Sequence, residues 1–429
     1  MRKRIAFVVA WMVATVVFPP WSRAEIGEGT VISKDNLAEA GDLLIPSMRW
    51  MVERGLVMRT NAHKNVEWPS KYREATEKYA SQVKLSPDGR SLVGYVAGLP
   101  FPTIDPNDPQ AGVKVMWNQE LKPVYTDDVQ TEFIFELTDG NGNIERTQIW
   151  DRWRRLFWSG RLYHDPKPEI PHDPPIRYTE LFGPALAPED IRNTSALSIR
   201  YVDADTPDDT YLYLPQLRRV RRVPVNNRSD SIFGTDMVLD STWGFASQVG
   251  NFEHRLLAAG KEILAPVHCG KYGDADLYQA PPGNGIKSWM PDGQWEKRTV
   301  WVVEGRPRVS PYAFSKGIFY VDSEFWGTNF TEWFDKKGEL WKIWWNMFNF
   351  TSEPREGKKF LEPGTDLPVD RSTTPAGMQA DLIALHTTKW RAPSPHGLKR
   401  ETDWRFDAGA PGDNIPEYHT VSHMVEIGR

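Results

Sequence analysis

Four things are scarce in this chain, and each scarcity excludes something. Cys269 is the one cysteine among 429 residues, so no intrachain disulfide can form and stability must come from the core. Positive charge is not in excess. The formal net charge of -5 at pH 7 removes the electrostatic case for nucleic-acid binding. Beyond Phe18 no stretch is apolar enough to cross a bilayer. Catalytic signatures are missing too: there is no Gly-x-Ser-x-Gly elbow, phosphate-binding glycine loop or zinc-protease helix motif. Internal repeats and low-complexity tracts are also absent.

What is abundant is tryptophan, with 19 residues, and proline, with 34. The tryptophans imply large apolar areas that need burial or a ligand. The prolines imply many element ends and much loop. At the N-terminus, Arg2, Lys3 and Arg4 precede the apolar run Ile5 to Phe18, and Ser22-Arg23-Ala24 supplies small residues where a signal peptidase reads. This predicts a secretory signal over residues 1–24, cleaved after Ala24. No cysteine directly follows the run, so no lipoprotein anchor is expected. The mature chain, 25–429, is expected to be one large β-rich domain in the periplasm of a cell with two membranes.

The spacing predicts helices first. Leu37, Ala40, Leu43 and Leu44 mark a helix within Lys34 to Gly55, broken at Pro46, and Ser70 opens another that reaches about Val83. A short strand is expected over Leu92 to Ala97 and a loop from Pro100 to Pro109. Phe133, Phe135 and Leu137 then alternate with Glu132 and Glu136 as in a strand that ends at the hairpin turn Asp139-Gly140-Asn141-Gly142. Ile149 to Trp158 fits a helix or a strand. The proline-rich span of about 163–188 is expected to be an irregular excursion. Strands resume at Ala196–Val202, Thr210–Leu214, Arg255–Pro266, Lys297–Glu304, Lys316–Asp322, Asn329–Phe334 and Glu339–Phe350. Short turns between several of them predict an antiparallel meander. The tail, about 352–429, reads as irregular with one short helix around Ala380 to His386.

Two stretches stand out. In Glu339–Phe350, Trp341, Ile343, Trp345 and Met347 face one side and Trp344 and Phe348 the other. A strand apolar on both faces belongs to a sheet covered twice, by helices or by a bound hydrophobic molecule. In Tyr211 to Pro224, read as strand, Arg218 and Arg222 fall on one face and Arg219 and Arg221 on the other. One set must then meet an acidic partner, a ligand anion or solvent. The pairing reading assigns Asp236 and Asp240 as partners. The ligand reading places the arginines at the rim of a hydrophobic site, holding a carboxylate, phosphate or sulfate.

Candidate chemistry is sparse. His164-Asp165 and His172-Asp173 each precede a proline, which suits turns better than metal ligation. His268-Cys269 reads as an incidental thiol rather than a nucleophile. No metal, cofactor or catalytic residue is assigned.

Long motifs carry a resemblance. Val66-Glu67-Trp68-Pro69, Tyr72 to Tyr79, Leu85 to Arg90, Gly94 to Gly98, Leu214 to Arg222 with Gly234-Thr235-Asp236, and Trp333 to Trp341 resemble the DUF1329 family of Gram-negative exported proteins. That family is similar, in its β-rich part, to carriers and receptors of the LolA/LolB type. The resemblance implies a mainly β fold with helices (α+β), in which a strongly curved antiparallel sheet, like an incomplete barrel, surrounds an apolar cavity. It also implies a periplasmic carrier of lipids or other hydrophobic molecules, partnered by an RND/MMPL-type inner-membrane transporter and an outer-membrane β-barrel protein. The expected ligand-binding residues are Arg218, Arg221, Phe133, Phe135, Trp341, Ile343, Trp345 and Met347. Two alternatives stand beside this reading. One is an enzyme acting on envelope lipids or glycans, with His164, Asp165, His172 and Asp173 as its site. The other is a ligand-free adaptor or sensor.

Overall fold

A computed structural model describes residues 26–124, 127–270, 278–353, 359–374, 376–392, 404–409 and 414–429. Pro46 breaks the first helical pattern as its ring requires. It opens α1 (Pro46–Glu53) after a single turn at Leu37–Ala40. The next helix, α2 (Ser70–Tyr79), is capped by Pro69 rather than by Ser70, whose hydroxyl bonds to Glu362 instead (2.7 Å). A third, α3 (Ala111–Glu120), has no counterpart in the sequence reading. Most of its residues are buried, so the polar face that would mark a helix by periodicity is missing. Gly112 lets it lie against the sheet, because a Cβ there would stand 2.7 Å from the backbone nitrogen of Leu256.

The sheet is assembled from β1 (Asp128–Thr138), β2 (Ile144–Phe157), β3 (Ile176–Phe182), β4 (Ser195–Tyr201), β5 (Asp209–Leu214), β6 (Arg219–Arg222), β7 (Phe252–Ala265), β8 (Gln294–Pro307), β9 (Lys316–Asp322), β10 (Thr328–Phe334), β11 (Leu340–Met347), β12 (Ala376–Asp381) and β13 (His386–Arg391). These pair antiparallel in the spatial order β7-β8-β9-β10-β11-β12-β13-β1-β2-β3-β4-β5-β6. The C-terminal meander therefore comes first in space, and β13 joins it to β1 through Thr387 opposite Thr138. The sheet is strongly curved and does not close. β6 and β7 are its free ends, and β8 also takes one short parallel pairing from Met58–Asn61.

Several expectations change here. Of Ile149–Trp158, all but Trp158 is strand, within β2, because neighbours on both sides claim its backbone groups. The proline-rich span is not all irregular: β3 occupies its proline-free run, with Pro174, Pro175 and Pro184 outside it. The strand at Leu92 shrinks to Leu92–Val93. The tail contributes the central strands β12 and β13. Where a helix was expected over Ala380 to His386, Asp381 stands opposite His386 across a hairpin. Asp381 Oδ1 accepts the backbone N–H groups of Ile383 and Ala384, and Leu385 takes a positive φ of 53°. Strand pairing has overridden local helix preference. Tyr211 to Pro224 is a hairpin, not one strand. Arg218, at φ 48°, makes the reversal between β5 and β6.

Both faces of β11 are covered, as its two-sided apolar pattern requires. On one face, Glu332 stands opposite Ile343 and accepts the backbone N–H of Ser47 at the start of α1 (2.7 Å). On the other, α3 packs with Phe252, Val303, Phe319 and Trp333 toward the β7 end. Farther along that second face lies the cavity.

Candidate functional site

Cross-strand register brings the cavity floor together. Trp344 stands opposite Gln379, Gln379 opposite Thr388, and Trp390 opposite Phe135, so Trp344, Trp390 and Phe135 share one face. Trp153 stands opposite Phe182, and Phe182 opposite Ala196. One pleat away runs a polar row: Arg155 opposite Glu180, Glu180 opposite Ser198, and Ser198 opposite Thr210.

A strap of chain crosses this floor. Residues 223–251 leave β6 at one free end of the sheet and enter β7 at the other. Polar groups of the sheet pin the strap along its length. Gln148 Nε2 donates to the Phe233 carbonyl (2.8 Å), the Val238 N–H donates to Gln379 Oε1 (2.9 Å), and Lys342 Nζ donates to the Asp236 carbonyl (3.0 Å). The Asp236 carboxylate meets His386 Nδ1 at 2.6 Å, and Glu145 meets the other ring nitrogen at 2.8 Å. Chiefly through the bond to Asp236, the imidazolium is favoured and its pKa is raised to about 9. Within the strap itself, buried Arg228 pairs with Asp240 (2.6 Å) and donates to the Ala246 carbonyl (2.9 Å). Arg200 donates to the same carbonyl (2.6 Å) while bound to Asp208 and Glu120. Tyr312 completes the set on Asp240 (2.8 Å).

Between strap and floor lies a cavity of ≈ 100 Å³. Its wall is mostly aromatic: Phe133, Phe135, Trp153, Phe182, Trp344 and Trp390 from the sheet, and Phe233 and Trp243 from the strap. Trp243 packs at ring-centroid distances of 5.0 Å from Trp153, 5.3 Å from Trp390 and 5.9 Å from Phe133. Both strap aromatics have positive φ, 54° at Phe233 and 57° at Trp243. Bulky side chains rarely adopt that conformation. The polar lining is Glu180, Ser198, Thr210 and Thr242.

The family model for DUF1329, a protein family of unknown function, matches residues 31–392. The chain belongs to the DUF1329 family. Among solved structures, this DUF1329 chain is similar to a putative outer membrane lipoprotein-sorting protein domain from Vibrio parahaemolyticus, at 15% identity and TM-score 0.48, over 74% of this chain and 100% of that one. It is similar to a DUF1329 family protein from Desulfovibrio piger, at 14% identity and TM-score 0.47, over 74% and 100%. A LolA superfamily protein from Nitrosomonas europaea follows at 11% identity and TM-score 0.38, over 70% and 94%. No curated protein matches the chain.

The structure of this DUF1329 member divides the residues singled out in the sequence. Phe133 and Phe135 line the cavity. Ile343, Trp345 and Met347 are buried on the opposite face of β11, and it is Trp344 that reaches the cavity. Trp341 packs on Phe314 (5.4 Å) and donates its indole N–H to Asp381 (2.8 Å), away from the cavity. Arg218 and Arg221 are exposed on the β5–β6 hairpin and do not line it. The acidic partners proposed for the arginine run are taken by others: Asp236 by His386 and Asp240 by Arg228. Arg222 pairs with Asp209. Charge on the exposed edge strand β6 instead blunts a free sheet edge.

The two His-Asp pairs do not converge on a site. Nε2 of His164 bonds to the Asp407 carbonyl (2.6 Å) and Nδ1 of His172 to the Pro174 carbonyl (2.7 Å), while Asp165 and Asp173 are exposed. Buried carboxylates lie near His164, but their work is structural. Asp127 accepts the backbone N–H groups of Leu162, Tyr163 and His164 at 2.6, 3.0 and 2.7 Å. Burial, with Asp407 nearby, pushes the Asp128 carboxyl up to about 6. Cys269 is buried. Among the described residues, no cluster of three or more His, Cys, Asp or Glu could hold a metal ion, and no helix is long and apolar enough to cross a membrane.

The sequence reading missed the strap. Phe233 and Trp243 sit in a segment without periodicity, and no local signal aims them at the sheet. Their neighbours Gly234 and Gly244, both at positive φ, were the available hint of tight turns.

Proposed function

We propose that this protein is a periplasmic carrier for a lipid or another hydrophobic molecule. The observation that supports this is the aromatic cavity between the curved sheet and a strap that joins its free ends. Among the described residues, few polar groups line it and no set of reactive side chains stands in it. Apolar concave sites with a small number of placed polar groups are the usual form of small-molecule sites. Burial of an alkyl chain yields about 0.8 kcal/mol per methylene, so affinity needs few polar contacts. The N-terminal signal pattern is consistent with export. An RND/MMPL-type transporter and an outer-membrane β-barrel protein, implied by the family resemblance, are proposed as its membrane partners.

The cavity's size adds a condition. At ≈ 100 Å³ it is smaller than the roughly 300–1,000 Å³ of sites for drug-sized ligands. With the strap down it admits part of a chain, not a whole lipid. Loading therefore requires the strap to lift or its aromatic side chains to turn aside. Native mass spectrometry and organic extraction of protein purified from its own periplasm test the proposal. A co-purifying hydrophobic molecule is the expected result. Lipid-free protein that binds no lipid or sterol probe would overturn it.

A further inference from the structure

We infer that the cavity selects a lipophile whose polar end donates hydrogen bonds, a hydroxyl or an ammonium group, and rejects one that ends in a carboxylate or phosphate. This rests on the carrier reading and adds the chemical class of the cargo.

The inference starts from the polar row along one wall. Glu180 is the one charged residue among the described residues lining the cavity. Its Oε1 accepts three bonds: from the Trp153 indole (3.0 Å), and from Nε (3.0 Å) and Nη2 (2.8 Å) of Arg155. Oε2 accepts none among the described residues, and the side chain keeps 20% of its exposure. A carboxylate oxygen can accept from more than one donor, so Oε2 is an acceptor awaiting a donor. The cation of the same row, Arg155, is directed at Oε1 and does not line the cavity, so among the described residues no cationic side chain faces a ligand there. The hydroxyls of Ser198 and Thr210 bond to each other (3.2 Å), and the Thr242 hydroxyl donates to the Leu239 carbonyl (2.8 Å).

An anionic head group placed on this row would meet a carboxylate of like charge. Neutral hydroxyl and indole groups elsewhere on the wall do not compensate a full charge taken out of water. A hydroxyl or ammonium would instead complete the shell of Glu180, and an ammonium would also gain from the rings of Trp153 and Trp243. The arginines that would suit an anionic head are outside, on the β5–β6 hairpin.

The test uses three probes with one tail: hexadecanol, hexadecylamine and hexadecanoate, titrated into the ligand-free protein near neutral pH and followed by tryptophan fluorescence. The alcohol or the amine should bind at least tenfold more tightly than the acid, and which of the two is tighter identifies the donor. In Glu180→Gln the amide can donate to a carboxylate, so the discrimination should fall to a few-fold. The comparison of probes on the unaltered protein stands even if that variant folds poorly. Hexadecanoate binding as tightly as the other two would overturn this inference and leave the carrier reading intact. No binding of any probe would overturn both.

Discussion

Replacing Trp243 with glycine should destabilise the protein less than replacing it with alanine, the reverse of the usual order. Trp243 sits in the strap at φ 57°, ψ 20°, in the left-handed region, which costs an L-residue roughly 1–2 kcal/mol. The indole repays that cost by packing on Trp153, Trp390 and Phe133. Both substitutions lose those contacts. Truncating a fully buried tryptophan costs about 3–5 kcal/mol, and because Trp243 is partly exposed the loss should be nearer 2–3. Alanine keeps the backbone cost without its compensation. Glycine removes it and pays only the extra freedom of its unfolded chain, about 0.5–1 kcal/mol. The glycine variant should therefore be the more stable by about 0.5–1 kcal/mol in urea unfolding of ligand-free protein. Both variants should bind a neutral naphthylamine dye more tightly than the parent, because the cavity is enlarged. Alanine proving as stable as glycine would refute the strained strap, and unchanged dye binding would refute its place over the cavity.

Other perturbations separate the fastenings of the strap from its surroundings. The His386 imidazolium, held by Asp236 and Glu145, has a pKa raised from 6.5 to about 9. Its contribution should be fully present below pH 6.5 and lost as pH rises through 9. With solvent screening of a partly exposed group allowed for, that is roughly 1–2 kcal/mol, and His386→Gln should flatten this alkaline loss in melting curves. Arg228→Ala leaves Asp240 buried with Tyr312 as its remaining side-chain partner, and should cost about 3–5 kcal/mol in urea unfolding; a loss under 1 kcal/mol would show that Asp240 is not buried as a charge. Arg218→Ala and Arg221→Ala, on the exposed hairpin, should each change stability by less than about 0.5 kcal/mol and leave affinity for a hydrophobic probe unchanged. A weakened affinity would return these arginines to the binding site.

Legibility in the sequence followed the range of the forces involved. The alternation of Phe133, Phe135 and Leu137, and the turn at Asp139–Gly142, are local signals, and the strands they predict are present. α3 was illegible because burial on nearly every side erases its amphipathic period. The hairpin of β12 and β13 was illegible because the run from Ala380 to Leu385 favours helix locally, and only pairing with β11 and β1 makes it sheet. The arginine run misled for a related reason. Its alternating faces presuppose a continuous strand, and Arg218 breaks it with a reversal that nothing but φ reveals. On β11 the period held from Ile343 to Met347, while a bulge opposite Trp333 and Phe334 displaced Trp341; the side was not legible, because which face meets the cavity depends on where α1 and the strap lie, and both are long-range facts.

Under the proposed function, the strap is what would let an open sheet serve as a container. A closed barrel of this curvature would fix its interior once folded. Here the chain leaves the sheet at Arg222 and re-enters it at Phe252, so the second wall of the cavity is held by side-chain bonds instead of a continuous backbone ladder. Each of those bonds contributes only about 0.5–1.5 kcal/mol net when neutral. The charged ones reach it at two points, Asp236 from His386 and Ala246 from Arg200, while the Arg228–Asp240 pair ties the strap to itself. Phe233 precedes the first point and Trp243 the second, each at a backbone conformation that resists it. Under the proposed carrier function, the two aromatic residues that would move to let a whole lipid enter are the ones whose release recovers backbone strain. A cargo able to replace their contacts with the floor would lift them at lower cost than the contact list alone implies.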